Sequence, residues 1–167
     1  MHKLLDFLAK TPVILFLLIT QILLGASFLF VEPTIGGPLL DLQMNGADAA
    51  NRLAQMTAEQ KHIHTVVTMT LDLFYPLVYG GFFIAIVARF AKRFRLTLAV
   101  PACIAIVADF AENAVQVLAL GGNESFLAAK DFLTPLKYYA FGIASIIGIT
   151  LLLIALVKWT RRKRKLA

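Results

Sequence analysis

Polar and apolar residues segregate along this chain over distances much longer than a strand or a surface helix. Four long stretches are almost free of charge. Pro12 to Val31 holds no charged residue, and Thr65 to Ala88 holds only Asp72. Leu96 to Leu120 holds Asp109 and Glu112, and Thr134 to Val157 holds only Lys137. At 1.5 Å per residue, each stretch can cross a hydrocarbon core of roughly 30 Å. Only helices or closed barrels satisfy the backbone inside lipid, and these runs are too long and too uniformly apolar for barrel strands. The pattern predicts an all-α fold, a four-helix transmembrane bundle. Its spans lie at about 12–31, 65–88, 96–120 and 134–157, in one integral membrane domain covering 1–167. The apolar run from Val13 to Phe30 is long for a signal-peptide core, and no small-x-small cleavage site follows it, so it is read as an uncleaved span.

The connections set the expected orientation. Lys3 and Lys10 precede the first span, and Arg89, Lys92, Arg93 and Arg95 join the second to the third. The tail, 158–167, carries Lys158, Arg161, Arg162, Lys163, Arg164 and Lys165. Four spans put these three segments on one face, whereas an odd number would split them. The other two connections balance Arg52, Lys61 and Lys130 against six carboxylates. The positive-inside rule then predicts N-in/C-in topology in the cell membrane, the inner membrane if the source is bacterial.

The outer loop, 32–63, opens with Pro33, Gly36, Gly37 and Pro38 and turns Ala-rich, which reads as a short helical cap on the extracytoplasmic side. Thr57-Ala-Glu-Gln60 has the form of a capping box, starting the second helix near Ala58. Gly121-Gly122 marks a helix stop. Ser125 to Phe132 reads as a short interfacial turn. Thr134-Pro135 reads as the N-cap and first residue of the fourth helix, the alternative being one helix from Ser125 kinked at Pro135. Gly81 with Ala85, and Ala144 with Gly148, are expected helix-packing positions.

Ionisable groups at membrane depth cost about 2.5–3.5 kcal/mol each and point to function by default. Their spacing here is ordered. Asp72, Tyr75 and Tyr79 share one face of the second helix, and His64 and Thr68 extend that face outward. Asp109, Glu112, Asn113 and Gln116 fall at i, i+3, i+4 and i+7, so the strongly polar residues of the third helix form one stripe. Counting residues from each midpoint puts these groups and Lys137 in the outer half of the bilayer. One polar cavity is predicted, with Asp72, Glu112, Asp109 and Lys137 as catalytic candidates. His64, Tyr75, Tyr79, Asn113 and Gln116 are ligand-binding candidates, and Gln21 is a contributor from the first span. Three carboxyls against one ammonium require a proton or an incoming cation, and Glu112 with Lys137 is the expected ion pair.

Composition narrows these readings. Hydrophobic residues make up 59% and charged residues 16%, against about 45–50% and about 25% in soluble domains. The single cysteine, Cys103, excludes a disulfide framework and paired-thiolate zinc, and is expected to be a core residue. The net charge of +6 does not imply nucleic acid, because the basic residues lie beside spans. The tail fits attraction to anionic lipid, and its last residues have the form of a lysine-based retrieval signal. No metal or cofactor is expected, since His62 and His64 lie on different helix faces.

Three roles fit the cluster. It binds or processes a lipid-like or small-molecule ligand; it only holds helices together in a structural or assembly protein; or it carries a proton or cation, where four spans would call for a homo-oligomer. Besides such a ligand, the expected partners are membrane lipids. Asp72-Leu-Phe-Tyr-Pro-Leu-Val-Tyr-Gly80, Asp109-Phe-Ala-Glu-Asn113 and Thr134-Pro-Leu-Lys137 together resemble a pattern in small four-span bacterial membrane proteins with no assigned activity. The resemblance covers the second to fourth spans. It implies that the three stretches belong together and implies no chemistry.

Overall fold

A computed structural model of the chain describes residues 2–164. In chain order the helices are α1 (His2–Leu8), α2 (Thr11–Val31), α3 (Gly46–Ala54), α4 (Ala58–Met69), α5 (Leu71–Phe90), α6 (Arg95–Leu120) and α7 (Lys130–Arg164). Two 3₁₀ turns, Leu40–Leu42 and Glu124–Ala129, precede α3 and α7. The described residues are 85% helical and hold no strand. Thr11–Val31, Ala58–Phe90, Arg95–Leu120 and Glu124–Lys163 are long and apolar enough to cross a membrane. These are the four stretches read from the sequence. The tail's final residues, Lys165 to Ala167, and the retrieval-signal form they complete, lie outside the described residues.

Local chemistry sets most of the boundaries. Pro12 sits in the first turn of α2, where its missing N–H is not needed. Asn45 caps α3 by accepting from Asp48 N at 2.8 Å. The capping box is present: Thr57 Oγ1 accepts from Gln60 N, and Gln60 Oε1 accepts from Thr57 N, so α4 starts at Ala58. The chain after α6 reverses at Gly121 and at Gly122, which has φ +96°.

Two boundaries differ from expectation. The second span breaks at Thr70 (φ −118°, ψ −86°), dividing it into α4 and α5, and the Thr70 hydroxyl folds back onto Val66 O at 2.6 Å. The fourth helix starts at Lys130, not at Thr134-Pro135; the 3₁₀ turn from Glu124 leads straight into it and it runs through Pro135, close to the alternative of one helix from Ser125. Thr134 is no N-cap, because its hydroxyl is directed at Glu112 on α6. Lys130 reaches the same carboxylate, so the tertiary contact draws the helix start one turn earlier.

Helices α5, α6 and α7 pack against one another. A ridge of Ala99, Ala102, Ala105 and Ala108 on α6 is buried, and small residues there allow close backbone approach. Cys103 falls off that ridge and is exposed on the outer face of α6 rather than in the core. Ala85 and Ala144 are buried, Gly148 lies against Phe83, and Gly81 faces Leu17. Helix α2 packs mainly on α5 and fully buries none of its residues. Arg95 pairs with Asp6 at 2.7 Å, and Arg89 donates to Ala9 O, so α1 is tied to the α5–α6 end. Large apolar side chains such as Phe16, Leu23, Phe30, Val107 and Ile146 point outward, as a lipid-facing surface requires.

Candidate functional site

The α6 stripe is the centre of the site. Asp109, Glu112, Asn113 and Gln116 are all buried, and the helix aims them between α5, α7 and the outer loop. Glu112 and Gln116 have 0% exposure. Glu112 gathers the most partners: its carboxylate is met by three residues of α7. Its Oε1 takes the Lys130 ammonium and the Thr134 hydroxyl, the latter at 2.5 Å. Lys137 Nζ stands 2.6 Å from its Oε2. Lys130, Thr134 and Lys137 fall at i, i+4 and i+7, a single face of α7.

Lys137 also faces the opposite way. Its Nζ lies 2.5 Å from Asp41 Oδ1 and 3.6 Å from Asp109 Oδ1. Tyr79 Oη donates to Asp109 Oδ2 at 2.9 Å, and Gln116 Nε2 donates to Asp41 Oδ1 at 3.4 Å. Asp41, Asp72 and Asp109 each place one carboxylate oxygen within 4.8 Å of the others. Of the groups in the site, this triad is the set able to hold a cation.

Asp41 enters from the outer loop, and two side chains put it there. Arg52 donates to Ile35 O at 2.7 Å and Pro38 O at 3.0 Å, fixing the turn before it. Leu40 N donates to His64 Nε2 at 2.9 Å, while His64 Nδ1 lies 3.1 Å from Thr68 Oγ1. Burial pushes the Asp41 carboxyl up, but the Lys137 ammonium reverses this and holds it below the usual carboxylate range.

Six expected site residues are not in the cavity wall: Glu112 and Gln116, whose contacts are given above, Asp72, and three that take other places. His64 does not line the cavity; both ring nitrogens are engaged, and the residue anchors the Asp41 turn. Asn113 also stays out of the cavity. Pro76 has no N–H to offer Asp72 O four residues back, and Asn113 Nδ2 donates to that carbonyl at 3.0 Å instead. Gln21 Oε1 is buried without a hydrogen-bond partner, away from the cavity wall. Asp72 sits just behind the wall, while Tyr75, Tyr79, Asp109 and Lys137 form part of it. Sequence reasoning missed Asp41, Lys130 and Thr134. For Lys130 and Thr134 a signal existed in their spacing to Lys137; for Asp41, in a loop without periodicity, there was none.

The cavity measures about 260 Å³. Phe28, Tyr75, Tyr79, Tyr138 and Phe141 supply aromatic walls, Leu39 and Leu42 form the loop side, and Asp41, Asp109 and Lys137 form the polar end. The rings brace one another edge to face, with Phe28–Tyr75 centroids at 5.6 Å and Tyr79–Phe141 at 5.1 Å. No protein-family model, curated protein or solved structure matches this chain. Its chemistry is therefore read from the geometry alone. A mostly apolar concavity with a few convergent polar groups is suited to holding a small or amphiphilic molecule by its polar end.

Proposed function

We propose that this is a multi-pass protein of the cell membrane that binds a lipid-like or small ligand in the cavity between α2, α5, α6 and α7. Both termini face the cytoplasm on this reading, because the basic residues gather at the α1, α5–α6 and tail end. The first 3₁₀ turn and α3 then form a cap over the extracytoplasmic end, and the cavity lies in the outer half of the bilayer. The observation that carries the proposal is the cavity itself, an aromatic-walled space ending on Asp41, Asp109 and Lys137. The three stretches that resemble small four-span bacterial proteins also converge around it.

The test fills the space without altering a charge. Leu42 borders the cavity, and Leu42→Trp should abolish retention of a ligand detected by mass spectrometry of organic extracts of the purified protein. The melting temperature should stay unchanged. Identical extracts from both proteins would refute the proposal. Orientation is checked separately: in a Cys103→Ala background, Asn123→Cys should react with an impermeant maleimide from outside the cell, and Lys92→Cys should not.

A purely structural or assembly role is the second reading, and Glu112 favours it. A fully buried carboxylate held by Lys130, Thr134 and Lys137 joins α6 to α7 as a fastening would. The two readings apply to different ends of one network.

A further inference from the structure

Resting on the ligand-binding reading above, we infer that the cavity selects an amphiphile with a primary ammonium head, admitted sideways between α2 and α7. The first argument is charge. Four carboxyls (Asp41, Asp72, Asp109 and Glu112) meet two ammonium groups. Lys130 is committed to Glu112, and Lys137 is shared among Asp41, Glu112 and, at greater distance, Asp109. The network lacks positive charge on the side where Asp41, Asp72 and Asp109 converge, which is the cavity side. A proton or one cationic head would make up part of that shortfall in a low-dielectric site, and the choice between them falls to hydrogen bonding.

Hydrogen bonding narrows the type of cation. Asp109 is 4% exposed and borders the cavity, yet its Oδ1 accepts no hydrogen bond; the nearest ammonium, that of Lys137, is 3.6 Å away. A buried acceptor left without a donor is destabilising, so a head bearing N–H groups gains more here than a quaternary one.

Shape supplies the amphiphile. Phe28 from α2 and Tyr138 and Phe141 from α7 belong to the cavity wall. Helix α2 packs mainly on α5, and α7 packs on α5 and α6, so α2 and α7 make little direct contact. In a membrane the seam between them faces acyl chains. A tail lying in that seam leaves its head at Asp109 without crossing the cap.

The full chain in maltoside micelles is titrated with dodecylamine, dodecyltrimethylammonium, dodecanol, dodecanoate and calcium, and bound molecules are counted by native mass spectrometry. One dodecylamine per chain is expected, bound at least tenfold more tightly than the other amphiphiles and weakened at least tenfold by Asp109→Asn. Equal binding of dodecanol or dodecanoate overturns the ammonium head and leaves a lipid-binding pocket standing. Equal binding of the trimethyl compound overturns the hydrogen-bond argument and with it the primary amine. Calcium binding without dodecylamine binding overturns the inference in favour of an inorganic cation. If no amphiphile binds, and Leu42→Trp also leaves extracts unchanged, the ligand-binding reading fails with it. The comparison among probes on the unaltered chain holds even if Asp109→Asn does not fold.

Discussion

The two ends of the polar network are built on opposite terms. At Glu112 every partner is protein: Lys130, Thr134 and Lys137 close around a carboxylate that has no exposure. At Asp109, one helical turn away on the same stripe, Tyr79 satisfies one oxygen, Lys137 stands off from the other, and an aromatic cavity lies in front. Both ends are acidic, buried and on α6. What separates them is whether the protein completes its own electrostatics. A completed buried pair fixes helix positions, whereas an incomplete one invites a guest.

Stability measurements should separate the two ends. The largest effect is expected from Lys130→Met, which leaves Glu112 short of its enclosed partner and should cost about 3–5 kcal/mol, read as lost folded yield and a lower melting temperature in detergent. Replacing both members, Lys130→Met with Glu112→Leu, should recover much of that loss, because an apolar pair of similar volume is often neutral. His64→Ala comes next. It strands the buried Leu40 N–H at about 1–3 kcal/mol and loosens Asp41, so the variant should melt lower and also bind ligand less tightly. Asp109→Asn should be milder, at about 1 kcal/mol, since the amide oxygen still accepts from Tyr79. A cost for Asp109→Asn matching that for Lys130→Met would collapse the distinction. Smallest of all is Cys103→Ala on the outward face of α6, expected within about 0.5 kcal/mol of the parent by the same melting measurement.

Much of the architecture could be read from local rules. Four runs almost free of charge specified four helices, the Thr57–Gln60 box specified where α4 begins, and the i, i+3, i+4, i+7 spacing on α6 specified which residues turn inward. Long-range fits could not be read this way. Nothing in the period of the outer loop announces that Asp41 folds into the bundle, because its place depends on Arg52 and His64 meeting backbone atoms far away in sequence. Lys130 looked like a loop cation and became the most deeply buried one, since Glu112 pulls the start of α7 toward α6. His64 takes its place for a related reason. A histidine on a polar face has the same spacing whether it awaits a ligand or grips a neighbouring N–H.

Helix α2 contributes Phe28 to the cavity yet fully buries none of its own residues. In a bilayer its position should respond to hydrophobic thickness as well as to its packing on α5. The gap it leaves beside α7 becomes a joint property of chain and bilayer. A thinner or stiffer membrane changes the width of that doorway while every side chain at the acidic end stays where it was.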